Sequence, residues 1–168
     1  NYLLFLTADH GAAHNYNFLK KHRIPAGAFE YKKAVEDLNN HLQEKFGIKP
    51  VMGEDNYQFA FNDKMIAQAG KDKDDVINEA IKFLKQDPQY IFVFNEERVA
   101  TETIPDFIKT RMLNGYMRNR SGEIGVVTRA QFFGAKNSPN YIGTQHGQPY
   151  PYDTHIPWVM YGWHVNHG

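Results

Sequence analysis

The sequence predicts an α/β fold, from three observations. Stretches with helical periodicity alternate with short runs rich in β-branched and aromatic residues. Two apolar runs, residues 2–8 and 156–161, bracket the chain, and each adjoins a histidine. Between them, residues 30–130 carry helix and strand patterns of their own, as an inserted lobe would.

Residues 2–8 (Tyr-Leu-Leu-Phe-Leu-Thr-Ala) are continuously apolar up to Thr7, which predicts a strand buried on both faces. A buried strand so close to Asn1 leads us to expect further residues upstream of it. Residues 15–22 predict a short helix or turn. Over 32–46, Val35, Leu38, Leu42 and Phe46 share one helical face and Gly47 supplies a stop. Extended segments follow near 49–53 and 57–61, the second with Tyr57, Phe59 and Phe61 in alternation. Residues 73–86 place Val76, Ile77, Ala80, Ile81 and Leu84 on one stripe and end before Pro88. Tyr90–Phe94 predicts a strand, Pro105 the start of a helix that ends near Asn114-Gly115, and 122–128 and 156–161 two further strands. The polar stretch 131–151, rich in Gly, Asn, Pro and Tyr, predicts a long loop of the functional kind.

Composition narrows the function classes. The chain has 168 residues, ten Tyr and twelve Phe, enough for a proper core and against disorder. Its formal charge is zero, so no overall field draws it to nucleic acid. No apolar run approaches the roughly 20 residues of a membrane-spanning helix. There is no Cys, which excludes disulfides and thiolate metal sites and suits an oxidising compartment. A phosphate-cradling Gly-rich loop and a Gly-x-Ser-x-Gly nucleophile turn are both absent.

Two clusters carry candidate chemistry. Asp9-His10-Gly11 follows the first apolar run, where a strand would deliver a carboxylate and an imidazole to one sheet end; both are zinc-ligand types. Gly11 permits a sharp turn or a close backbone approach. The second cluster is Gly143-Thr-Gln-His146-Gly147 with Asp153-Thr-His155 after it. His146 or His155 suits a metal ligand, the other then orienting it or meeting substrate. Plainer roles stand beside these: Asp9 capping a turn, His10 packed under a loop, two surface histidines. His14 is read as a turn residue, His22 and His41 as solvated, and His164 and His167 as part of the C-terminal tail.

These motifs together show a family likeness. Leu4-Phe-Leu-Thr-Ala-Asp-His-Gly11 with Ile24-Pro-Ala-Gly27, Asn114-Gly-Tyr116 with Arg120-Ser-Gly-Glu-Ile124, and Gly143-Thr-Gln-His-Gly147 with Tyr152-Asp-Thr-His-Ile-Pro157 resemble, in order, the PafA-type bacterial alkaline phosphatases. These are relatives of the nucleotide pyrophosphatase/phosphodiesterases in the alkaline phosphatase superfamily. The resemblance implies part of an alkaline-phosphatase-like core sheet, made by residues 1–29 and 131–168, with 30–130 as an inserted α/β lobe. It implies a phosphate ester substrate, two Zn²⁺ ions in the intact enzyme, and a periplasmic or secreted location. Asp9 and His10 match ligands of one zinc; His146, with His155 as the other choice, matches the late ligand of the second. The nucleophile that forms the covalent phospho-enzyme, with the remaining ligands and phosphate contacts, is expected upstream of Asn1, so this stretch by itself is expected to be inactive. Other readings are a phosphodiesterase or sulfatase of the same superfamily and, outside enzymes, a non-catalytic α/β binding module. The oligomeric state is not encoded in any of these motifs.

Overall fold

A computed structural model describes residues 1–166; His167 lies outside the described residues. In chain order the elements are β1 (Leu3–Thr7), α1 (Tyr16–Lys21), β2 (Gly27–Phe29), α2 (Tyr31–Phe46), β3 (Val51–Asp55) and β4 (Gln58–Phe61). Then come α3 (Asp63–Gln68), α4 (Lys73–Leu84), β5 (Tyr90–Asn95), a 3₁₀ turn (Glu96–Thr101) and α5 (Asp106–Gly115). The chain closes with β6 (Ile124–Thr128), β7 (Phe132–Gly134), α6 (Pro151–Thr154) and β8 (Trp158–Gly162).

Three separate ladders form. The middle of the chain builds a four-stranded antiparallel sheet in the order β3-β4-β6-β5. The ends build two small ladders, each joining an N-terminal strand to a C-terminal one: β2 with β7, parallel, and β1 with β8, antiparallel.

The middle sheet is covered on both faces. On one, Leu38 and Leu42 of α2 and Val76, Ile77, Ala80 and Leu84 of α4 meet Phe59, Phe61, Val93, Ile124 and Val126. On the other, Ile108 of α5 and Val99 meet Phe94 and Val127. This explains why β6 is buried at all five positions. Successive residues point to opposite faces of a strand, and here both faces lead into a core. A register shift between Tyr90 and Phe92 lets β5 serve both.

Side-chain bonds fix the corners around the middle sheet. Asn62 and Asp72 cap α3 and α4 by accepting the N–H groups of Met65 and Asp75. Asn39 acts as a surrogate strand: its amide donates to the Val51 carbonyl at 2.9 Å and its oxygen accepts the Val51 N–H at 3.0 Å. His41, expected in solvent, is instead half-buried between α2 and α4. Its Nε2 stands 2.8 Å from Glu79, and its ring stacks on Phe83. The physical reason is helix packing, because α4 lies across the face of α2 that carries His41.

The expectation of a buried first strand is not met. β1 forms where the apolar run predicts, but all five of its residues are exposed. Its ladder partner among the described residues, β8, is exposed at four of five positions. Two paired strands satisfy each other's backbone along one edge and leave both faces of the ribbon bare. The long polar stretch is also shorter than expected, since β7 occupies its start and α6 follows its end.

Candidate metal centre

The site begins where β1 ends. Gly11 N–H donates to the Asp153 carbonyl at 2.7 Å, and the backbone of Tyr152 presses so close that a Cβ on Gly11 would collide with the Tyr152 oxygen. Glycine is therefore required here for close approach, the second of the two roles expected for it. Ala13 N–H donates to the Gln145 carbonyl at 3.0 Å, and the Thr144 hydroxyl donates to the Ala13 carbonyl. Asn15 donates to the carbonyls of Tyr141 and Gly143. Tyr16, fully buried, stacks on Tyr141 and keeps its hydroxyl 2.9 Å from the Lys136 carbonyl. Residues 11–17 thus hold the late loop in place, so two clusters over 130 residues apart in sequence meet.

The meeting brings His10 and His146 face to face. Their rings stack with centroids 3.6 Å apart and planes 14° from parallel. Asp9 Oδ1 accepts the His10 backbone N–H at 3.0 Å, and its Oδ2 lies 3.7 Å from His10 Nε2. His10 Nδ1 is 2.7 Å from the Gly11 carbonyl. A carbonyl can only accept, so Nδ1 is the donor there, and Nε2 is the ring nitrogen left to face a metal. Asp9 Oδ2 lies on that side of the ring. Two ligands of one tetrahedral zinc stand roughly 3.4 Å apart, so this spacing suits a shared cation.

The stacked pair divides the labour. A metal–imidazole bond lies in the ring plane, and nearly parallel planes share no such point. His10 and His146 therefore suit two neighbouring ions rather than one. No group of three or more His, Asp or Glu converges as a complete metal cage among the described residues.

Asp153, named in the late cluster but given no role there, is a buried carboxylate beside these rings. It is buried, accepts the Gln148 N–H on Oδ2 at 2.8 Å, and leaves Oδ1 without a partner. Burial pushes its carboxyl above the usual carboxylate range; the Gln148 bond and the charges of His146 and His10 pull the other way. It therefore sits within electrostatic reach of both rings and fixes the loop after His146. His155 itself is exposed at the end of α6, with its N–H on the Pro151 carbonyl at 2.9 Å, and no ring or ion-pair contact joins it to His10 or His146.

The sequence reading also missed the tip of the β3–β4 hairpin. Asn56 and Tyr57 both hold positive φ, at 50° and 64°, as a tight two-residue hairpin turn requires. Glu54 Oε1 accepts the Tyr57 N–H at 2.6 Å, and the Tyr57 hydroxyl accepts the Gly134 N–H at 3.1 Å. Gly147, next to His146, has φ of 100°, and a Cβ there would come within 3.1 Å of the Tyr57 ring. The hairpin thereby reaches the late loop, and a cleft of about 340 Å³ opens between them, with His146 in its wall. The turn signal was present in the sequence as Asp55-Asn56; its proximity to His146 was not.

Comparison with known proteins places the chain in a family. No family model matches the chain. It is 35% identical over 169 residues to alkaline phosphatase PafA of Elizabethkingia meningoseptica, covering all of this chain and 30% of that protein. With a protein of Myroides odoratus named calcium-transporting ATPase it shares 39% identity over the same extent. Alkaline phosphatase PhoV of Synechococcus elongatus is 32% identical over 168 residues. The chain thus spans about 30% of the length of the curated relatives it matches. The crystal structure of wild-type PafA superposes with a TM-score of 0.89 at 33% identity, covering 99% of this chain and 31% of that one. Sequence and fold agree over essentially the whole chain, and the chain belongs to the alkaline phosphatase superfamily.

Proposed function

We propose that this chain supplies part of the two-zinc centre of a phosphomonoesterase, with Asp9 and His10 on one ion and His146 on the other. The observation that carries the reading is the His10–His146 stack with Asp9 at its edge. It supports two adjacent cation positions, each with an open side. When bound, paired zinc ions hold the attacking and leaving oxygens of an in-line phosphoryl displacement and neutralise their charge. His10 contributes Nε2 through the tautomer that its bond to Gly11 fixes. Asp153 holds Gln148, and so sets where His146 stands. Residues 30–130 act as an inserted lobe whose hairpin tip walls the reaction centre. Nucleophile and phosphate contacts come from the part of the relatives' length that this chain does not span.

The test uses the full-length protein carrying this chain and p-nitrophenyl phosphate. Chelation should abolish hydrolysis and zinc should restore it. Asp9→Asn and His146→Asn should each lower kcat/KM by more than about 100-fold, because loss of an outer-shell partner alone costs 10–100-fold. Asp153→Asn, acting through Gln148, should fall within that outer-shell range. His155→Asn should stay within a few-fold of the parent. Full activity in the Asp9 or His146 variant would end the reading. Faster turnover of a sulfate ester or of a phosphodiester than of the monoester would move it to another branch of the superfamily.

A further inference from the structure

The cleft beside His146 has a chemistry that the phosphoryl reaction does not need. Its walls include Phe29, Tyr31, Tyr57, Glu54, Asp55 and His146, and no Lys or Arg lines it. A phosphate-binding surface would be basic, so this one fits the part of an ester that carries no phosphate. At about 340 Å³ it is the size of a small-ligand site.

We propose that the cleft is a leaving-group subsite for organic cations, taking a quaternary or primary ammonium carried on the alcohol of the phosphate ester. The inference rests on the phosphatase reading for the reaction, but its binding chemistry stands apart from it. Aromatic faces attract cations through the ring quadrupole, most strongly when the cation gives up its water. Tyr57, half-buried, presents such a wall, with the buried Phe29 stacked behind it at 5.9 Å, and the exposed Tyr31 stands at the rim. Glu54 and Asp55 add negative charge, and neither forms a salt bridge among the described residues. Burial pushes the Glu54 carboxyl up to about 6, so it is ionised at neutral pH and above.

The wall is built in advance. The left-handed Asn56-Tyr57 turn is locked by the Glu54–Tyr57 bond, the Gly134–Tyr57 bond and the contact of Gly147. Strain of this kind persists where surrounding contacts over-determine it, and it keeps the carboxylates beside the rings without an ordering cost on binding.

Calorimetry on the zinc-loaded full-length protein decides the matter, using choline and its uncharged isostere 3,3-dimethylbutanol. Choline should bind at least about tenfold more tightly. In parallel, kcat/KM for phosphocholine over 3,3-dimethylbutyl phosphate should favour the cation by a similar factor. Both ratios should fall toward one in Glu54→Gln and in Asp55→Asn, each read within its own variant so that any general loss cancels. Asp55 has no side-chain hydrogen bond in the structure, so its variant keeps the question answerable if Glu54→Gln disturbs the turn. Equal binding of the two alcohols, no binding of either, or ratios unmoved in both variants would overturn the subsite. Choline selectivity in a protein that hydrolyses no phosphate ester would keep the subsite and sink the phosphatase reading instead.

Discussion

At the scale of single residues, Glu96 stands out because it is almost fully enclosed, at 1% exposure, and neither carboxyl oxygen has a hydrogen-bond partner. It borders a cavity of about 160 Å³ shared with Gln58, Arg111 and Gln148. Gly125 makes room for it, since a Cβ there would strike its carboxyl oxygen. Desolvation pushes its carboxyl up to about 7 from an ordinary 4.5. The folded state therefore binds this proton more tightly than the unfolded state does. Stability is lost as pH rises from about 4.5 to about 7 and stays lower above that. A shift of this size corresponds to a cost on the order of 3 kcal/mol at alkaline pH. Glu96→Gln removes the charge and keeps the shape. Its Tm should exceed the parent's at pH 8, with the difference shrinking toward zero at pH 4.5. A Tm at pH 8 equal to or below the parent's would show that the carboxylate finds its solvation in the cavity.

At the scale of elements, the longer helices α2, α4 and α5 were legible because each carries its own evidence, whereas the short α3 and α6 were not read. Leu38 and Leu42 mark the buried face of α2, and Gly47 ends it in a left-handed conformation at φ 77°. The strands β5 and β6 were legible from their β-branched and aromatic content. What the sequence could not show was context. A run such as Leu3-Leu-Phe-Leu6 reads as buried because apolar residues are expensive in water, yet the pairing of β1 with β8 alone leaves it exposed. The short β2 and β7 were illegible for another reason: three residues carry too little periodicity, and only the Gly27–Phe132 register reveals them. Likewise, Asp9, His10 and His146 stood out as candidates by type and neighbours, whereas the burial of Asp153 has no signal in the sequence. The exposed ribbon makes its own prediction. Leu4, Leu6, Val159 and Tyr161 line one face of this two-stranded element and Leu3, Phe5, Trp158 and Met160 the other, and both exposed apolar faces are templates for association. This chain alone should self-associate at micromolar concentration in light scattering after size exclusion. Paired Phe5→Lys and Val159→Lys changes should return it to a monomer. A parent chain that is already monomeric would show that the ribbon shields itself.

At the scale of the whole molecule, order is distributed unevenly, and the candidate site lies on the weaker side. The middle sheet has a core on each face, so its central strand β6 should open only with global unfolding. The end segments share a smaller cluster built on Ala13, Tyr16, Leu19, Ala26, Phe133 and Ala135. Beyond it β1 and β8 have only each other. Asp9 and His10 follow β1 directly, and His146 hangs from a loop pinned to residues 11–17. The candidate ligands thus lie in the part of the chain that has the smaller core. In a longer protein of this superfamily, covering the ribbon would stiffen the ligands and lower the ordering cost of binding an ion. Hydrogen exchange tests this directly. In the isolated chain, the amides of β6 should be protected to the global limit, while those of β1 and β8 exchange through local opening. In the full-length protein, protection of β1 and β8 should rise by at least about 100-fold, an added opening cost of about 2.7 kcal/mol, while β6 changes little. Zinc affinity measured by calorimetry should rise in the same comparison. Equal protection of β1 in both proteins would mean that the ribbon is ordered by the lobe already described, and the site would then owe its geometry to this chain alone.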